Sequence, residues 1–393
     1  MKGKLVFFMV LMMTVTLGFA PGPAGAEEVL KIGALFPFSG SIATWGLASF
    51  RGVDLMADKI NREGGIKVGG KVYKIELIKA DDKSDFNVAL AQANKFIFND
   101  KIRYIMGPVM SGATLAILPV SEPEKVIVCS TSYSPKVLGP DKKYSFRLMG
   151  AGNERTDAIY LFLKAHRPDL KTVGSIGPND ETGWGTAEYI HKKAVDLGLT
   201  SAFKDFYQRG TNDFYPLLTK MMQKPPDVLI PHSVPPGEFA LLMKQKHELG
   251  YKGLIITPSH AEPPMLVEKS GAEAVEGLIF QTPEFTGPRA LPGHRELHDA
   301  YLAKYKETFN TTSAATYTYL LVIKAAMEKA NSLDTTKVAE TISTLEIPGP
   351  FGPIKFGGEK TYGMKHQIVE SIFLSEIKKG VISPLATVTP PVP

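Results

Sequence analysis

Residues 104–120 read YIMGPVMSGATLAILPV. The apolar run 102–106 has the length of a short buried strand. It stops at Gly107-Pro108, Ser111-Gly112 follows, and Ala113, Leu115, Ala116 and Leu118 then fall at helical spacing. This is a strand, a turn and the start of a helix. The first amides of a helix have no partner within it, and the helix dipole is positive at that end. A serine placed there either caps the helix or joins it in holding an anion. Ser111 is read both ways: as a cap, or, with Gly112 and the neighbouring amides, as the anchor for a small ligand carrying a carboxylate or similar polar head.

Outward from this stretch the strand-then-helix order repeats. Residues 29–36 read as a strand, and 47–61 as a helix with Phe50, Val53, Met56, Ala57 and Ile60 on one face. Strand 72–80, helix 87–98 and strand 126–130 complete a first run. After 144–152 the cycle restarts: helix 153–166, strand 172–176, helix 185–197, strand 203–207, helix 214–222, strand 228–230, helix 237–249, strand 254–257 and a strand at 277–280. Helical patterns follow at 295–309, 316–331 and 336–345. A proline- and glycine-rich break at 348–353 then precedes strands at 354–356 and 367–377, and the proline-rich tail 384–393 is expected to fray. Strands alternating with helices predict an α/β fold with parallel sheets built of right-handed βαβ units. Two such runs predict two doubly wound lobes. Ligands sit beyond the carboxyl ends of such strands, so a pair of lobes facing each other encloses a cleft.

A chain of 393 residues has room for two domains, and 44% hydrophobic with 22% charged residues is a globular composition. The net charge of +5 is spread along the chain without a basic block, so nothing points to nucleic acid and no nucleic-acid partner is expected. Lys2 and Lys4, the apolar run 5–19 and Ala24-Gly25-Ala26 form a secretory signal with Glu27 as first mature residue; losing the two lysines takes the charge from +5 to +3. No later segment is apolar for long enough to span a membrane, so an exported protein is expected. The lone cysteine, Cys129, cannot pair within the chain and reads as a buried apolar residue. No cysteine stands at the cleavage point to carry a lipid anchor.

Enzyme signatures are missing: no G-x-S-x-G elbow, no Walker A run, no H-E-x-x-H, and eight scattered histidines without metal-ligand spacing. No catalytic residue, metal or cofactor is therefore expected. The glycines of 64–70 lie between a helix and a strand and read as a turn. Asp81-Asp82 ends a strand and is read as capping or contacting the other lobe rather than as catalytic; Asn310-Thr311-Thr312 matches a glycosylation pattern by chance. Trp45, in SGSIATWG, and Trp184, in ETGWG, each lie in a strand-to-helix loop and are each followed by glycine. They are read as one aromatic wall from each lobe, against the alternative of two unrelated packing residues. Ser132, Tyr133 and Ser134 follow the strand 126–130, Ser233 follows 228–230, and His260 with Glu262 follows 254–257, all at the edge where a ligand would sit.

These residues resemble the exported solute-binding proteins of ABC importers of the branched-chain amino acid type. The likeness rests on Ser39-Gly40 with Trp45-Gly46, Ile60-Asn61-Arg62-Glu63-Gly64-Gly65-Ile66, Asp81-Asp82, Gly107 with Ser111, Glu276-Gly277, and Gly352 with Phe356, in family order over about 30–377. It implies the type I periplasmic-binding-protein fold: two Rossmann-like lobes joined by three crossovers and closing on a ligand by a hinge. The implied lobes are 27–150 with 283–348, and 151–282 with 349–383. By the same resemblance Trp45 is an aromatic contact, Ser111 binds the ligand's carboxylate, Ser132, Tyr133 and Ser134 complete that pocket, and Trp184 is the second lobe's aromatic. Where amino-acid binders carry an acid for the ammonium, this chain has Ser259 or His260, with Glu262 just beyond. That departure makes an acid without an ammonium a rival to an α-amino acid. The implied partners are a small ligand and an ABC permease, with the protein a periplasmic monomer. A ligand sensor of the same fold and an α/β hydrolase are the competing readings, the second without its nucleophile elbow.

Overall fold

In the computed structural model residues 27–307 and 309–392 are described; the expected leader lies outside them. The strand Glu27–Phe36 is central to the first of two lobes. It runs parallel to Lys71–Asp81 on one side and Tyr104–Met106 on the other. Ile32, Ala34 and Phe36 point to one face of the sheet and Leu35 to the other, and all are fully buried. Both faces are covered by helices, which is why the strand reads as an unbroken apolar run.

The helix Ala43–Arg62 places Phe50, Val53, Met56, Ala57 and Ile60 in that core as expected, against Tyr319, Leu320 and Ile323 of the helix Thr311–Ala330. The two helices approach closely through small residues. A Cβ on Gly52 would come within 2.1 Å of the Ser313 carbonyl oxygen. Ser313 and Thr316 donate their hydroxyls to the carbonyls of Ala48 and Ser49, each at 2.8 Å. The second of these helices starts at Thr311 rather than 316, because the Asn310 side chain accepts from the Ser313 amide and caps it.

Nine strands form the first sheet, in the order Ile347–Gly349, Gly352–Gly357, Gln367–Val369, Ser145–Arg147, Ile127–Ser130, Tyr104–Met106, Glu27–Phe36, Lys71–Asp81, Ile66–Val68. In the second lobe, Leu254–Ile255, Val228–Pro231, Thr172–Pro178 and Thr200–Tyr207 make a parallel sheet. A parallel bridge between Ile256 and Ile279 joins it to a three-stranded piece, Ile279–Gln281, Ile372–Lys378 and Val381–Val388.

Two expectations need correction. The segment 349–383 does not belong wholly to the second lobe, because Gly352–Gly357 and Gln367–Val369 pair into the first sheet, the latter beside Ser145–Arg147. Nor is the tail frayed from 384: Val381–Val388 pairs antiparallel with Ile372–Lys378. The chain thus passes between the sheets three times, at 148–151, 282–293 and 370–371. No helix among the described residues is long and apolar enough to cross a membrane. Cys129 is free and fully buried, as expected.

Candidate functional site

The carboxyl ends of the two parallel sheets face each other across a narrow cavity of about 50 Å³. From the first lobe come Trp45 and Ser49 of the helix Ala43–Arg62, Val109, Thr131 and Tyr133 of loops after two strands, Met149 and Thr312. From the second come Thr182, Ser233, Ser259 and His260. The expected Trp45, Tyr133, Ser233 and His260 therefore share one cavity, while Ser111, Gly112, Ser132, Ser134 and Trp184 do not line it.

Ser111 neither caps its helix nor faces the cavity. It is the first residue of the helix Ser111–Ser121, after Met110, and is fully buried. Its Oγ accepts the amides of Tyr133 and Ser134, each at 3.1 Å, so the hydroxyl fixes the loop that forms the cavity wall. Ser132 is likewise buried, its Oγ 2.5 Å from Thr114 Oγ1. Gly112 packs on Phe86, whose ring lies 2.5 Å from where a Cβ would stand. Ser134 turns to the other lobe, donating Oγ to Glu181 Oε1 at 2.9 Å; Glu181 also pairs with Lys136 at 3.0 Å, and the Ser111 amide donates to Thr182 Oγ1 at 3.2 Å.

Trp184 is 49% exposed, with Nε1 donating to Asn179 Oδ1 at 2.9 Å, and is not the second aromatic wall. The reason lies in the glycines. A Cβ on Gly46 would come within 1.8 Å of the Pro37 carbonyl oxygen, and one on Gly183 within 1.8 Å of the Pro178 carbonyl oxygen. These two positions, where a helix start touches the strand end before it, correspond in the two lobes. The residue before Gly46 is Trp45; the residue before Gly183 is Thr182, and it is Thr182 that lines the cavity. The glycine after Trp184 has no such contact.

Electrostatically the cavity is uncharged. None of its eleven lining residues carries a carboxylate, an ammonium or a guanidinium. Burial, with the Arg155 guanidinium nearby, pushes His260 well below the usual imidazole range, so its ring is neutral. Its Nδ1 lies 3.3 Å from Thr312 Oγ1, linking the lobes. Ser49 Oγ and Ser233 Oγ are buried without a hydrogen-bond partner among the described residues, while the Thr131 hydroxyl lies against that of Tyr319. The first turns of the helices Ala43–Arg62, Glu181–Asp196 and Thr311–Ala330 reach the cavity through Trp45, Thr182 and Thr312. Their positive dipole ends favour negative charge there. Glu262 lines a neighbouring open cavity of about 780 Å³ instead. No group of three or more metal-ligating side chains occurs among the described residues.

Comparison with known proteins agrees with this geometry. The sequence profile described as periplasmic binding protein matches residues 29–381. The chain belongs to that family. This binding protein is 27% identical over 335 residues to the leucine-, isoleucine-, valine-, threonine- and alanine-binding protein of Pseudomonas aeruginosa, covering 84% of this chain and 86% of that one. It is 28% identical to the Leu/Ile/Val-binding protein BraC3 of Rhizobium johnstonii, over 87% and 90% of the two chains. Among solved structures, the leucine-binding protein LivK of Thermotoga maritima superposes with a TM-score of 0.77 at 25% identity, over 92% of this chain and 99% of that one. A solute-binding protein from R. palustris in complex with benzoate superposes with a TM-score of 0.78 at 18% identity, over 92% and 97%. The family consists of substrate-binding proteins, and the fold expected from the sequence is the fold observed.

The acidic pair is structural in this binding protein. Asp81 Oδ1 accepts the amides of Phe38, Ser39 and Lys83, and Oδ2 accepts the Ser39 hydroxyl at 2.7 Å, which fixes the loop leading to Trp45. Asp82, 1% exposed, accepts only the Ser84 amide, and burial with Asp81 and Asp85 nearby pushes it up to about 7. Its folded value lies above its unfolded one, so its ionisation opposes folding. The penalty is absent below about pH 4, grows up to pH 7 and is constant above. Asp82→Asn is expected to stabilise the protein by roughly 3 kcal/mol at pH 8 and by almost nothing at pH 4. Urea denaturation at the two values checks this.

Proposed function

We propose that the protein is exported to the periplasm, captures a small organic acid without a free ammonium group in this cleft, and delivers it to an ABC permease. One observation carries the reading of the ligand: two unpartnered buried hydroxyls, on Ser49 and Ser233, belong to residues lining a cavity with no carboxylate. An α-ammonium placed there would lose its water and gain no counter-charge, at a cost of several kcal/mol. A carboxylate finds hydroxyl donors and the positive ends of three helices. Its apolar body, aromatic or aliphatic, packs on Trp45, Val109 and Met149. Capture then proceeds by closure of the lobes, which excludes water and strengthens each polar contact, without turnover.

A thermal-shift screen over benzoate, aliphatic acids, dicarboxylates, amides and leucine tests this. A ligand at a hundred times its Kd adds about 2.7 kcal/mol. Monocarboxylates are expected to raise the Tm and leucine to leave it unchanged; stabilisation by leucine with none by the acids would overturn the reading. Trp45→Ala is expected to weaken the best acid by at least about tenfold, or about 1.4 kcal/mol, read by calorimetry.

A further inference from the structure

At the amino ends of the second lobe's strands, the end away from the cleft, lies an open cavity of about 690 Å³. Its floor is apolar: Leu170, Met243, Tyr251, Ile255 and Leu278 are all buried. Lys246 lines it from the last turn of the helix Pro236–Glu248 and is only 8% exposed. Its ammonium has no hydrogen bond or ion pair among the described residues, and burial with Lys252 nearby pushes it down to about 8. It is therefore mostly charged at neutral pH and has no direct partner, although the carboxylates of Asp169, Asp227 and Glu276 share the cavity lining. Lys252, on the same cavity, makes no ion pair among the described residues either.

The acids around the cavity are already engaged. Asp227 accepts the amides of Lys171 and Thr172, each at 2.8 Å. Asp169 is paired with Arg167 at 3.0 Å, and Glu276 accepts the Lys379 amide at 2.8 Å. A lysine whose stem is buried and whose ammonium opens on a cavity without a direct partner leaves a cation there for an incoming anion to pair with.

We infer that this cavity is a second binding site, for an organic anion with an apolar body, whose charged end pairs with Lys246 while its body covers the floor beside Met243 and Leu278. Inorganic phosphate would meet the lysines but leave that floor uncovered. The site is independent of the cleft and of what the cleft binds.

Octanoate is the probe and octanol its uncharged match. Octanoate is expected to bind the parent protein by calorimetry, Lys246→Met to weaken it by at least about tenfold, and octanol not to displace it. The titrations are run with the cleft saturated by the best acid of the cleft screen, so that octanoate reports this cavity alone; under that condition Trp45→Ala is expected to leave octanoate binding unchanged. The Lys246→Met protein should melt at or above the parent temperature, since it loses a partly desolvated ammonium without a direct partner. In the parent protein, carbon NMR of methylated lysines reads Lys246 directly, and octanoate should raise its titration midpoint. The site is refuted by no octanoate binding, by equal binding to Lys246→Met, by octanol competing as well as octanoate, by loss of binding in Trp45→Ala, or by a Lys246 midpoint that octanoate does not move.

Discussion

Replacing Arg155 by methionine is expected to lower the unfolding free energy by about 3–5 kcal/mol, the cost of stranding a buried charge partner. Arg155 is 2% exposed and holds all three passages of the chain between the lobes. Its Nε donates to the Gly150 carbonyl at 2.5 Å, its Nη1 to Gln281 Oε1 at 2.9 Å, and its Nη2 lies 3.8 Å from Glu370. Gly150, Gln281 and Glu370 flank or sit in the segments 148–151, 282–293 and 370–371. Glu370 also accepts the Gly150 amide at 2.6 Å, and burial, only partly offset by Arg155, pushes its carboxyl up. Without Arg155 that carboxyl must take a proton or remain an unpaired buried charge. The double replacement Arg155→Met with Glu370→Gln is accordingly expected to recover much of the loss. Urea denaturation of the two single variants and the double variant gives the coupling. A loss under about 1 kcal/mol for Arg155→Met, the level of an exposed pair, would show that the guanidinium does not pin the hinge.

Ser111→Ala is expected to have the second largest effect, and it separates two roles for that hydroxyl. The Oγ accepts two amides, those of Tyr133 and Ser134, in a buried setting. Each unsatisfied amide costs roughly 1–3 kcal/mol, so the variant should be less stable by about 2–4 kcal/mol with no ligand added. Affinity for the cleft ligand should fall by about tenfold or more, because Thr131 and Tyr133 stand on the freed loop. Had Ser111 been a ligand contact only, affinity would fall while the Tm of the protein alone stayed put. Melting and calorimetry on the same preparation decide between them.

The alternation of strands and helices was legible because parallel strands covered on both faces, such as Glu27–Phe36, are continuous apolar runs, and helices such as Ala43–Arg62 keep one apolar stripe. Which sheet a late strand joins was not. Gln367–Val369 and Ile372–Lys378 are two residues apart, alike in character, and lie in different lobes. Val381–Val388 was hidden by Pro384, which an edge strand tolerates because its outward amide is not needed; here the proline also follows a register shift at Leu374/Ser375. At the site, Trp45, Tyr133, Ser233 and His260 were found from their place after strands. Thr182 was overlooked because a tryptophan nearby drew the comparison; the register is set by Gly46 and Gly183, which leave no room for a side chain. Ser259 was marked beside His260 by the family resemblance, whereas Ser49 and Thr312 carried no signal beyond their position. Ser111 was read as a cap or a ligand anchor and is neither, because the amides its hydroxyl holds lie over twenty residues away, beyond what local spacing can reach.

The three passages between the lobes also constrain how the molecule comes into being. The first sheet is finished only by Ile347–Gly349, Gly352–Gly357 and Gln367–Val369, and the second only by Ile372–Lys378 and Val381–Val388. A ribosome makes the central strand Glu27–Phe36 among the first and its sheet's last members more than three hundred residues later. Neither half can mature while the other waits, as the halves of a contiguous two-domain protein do. Each sheet therefore stays open at one edge until those last strands have been made.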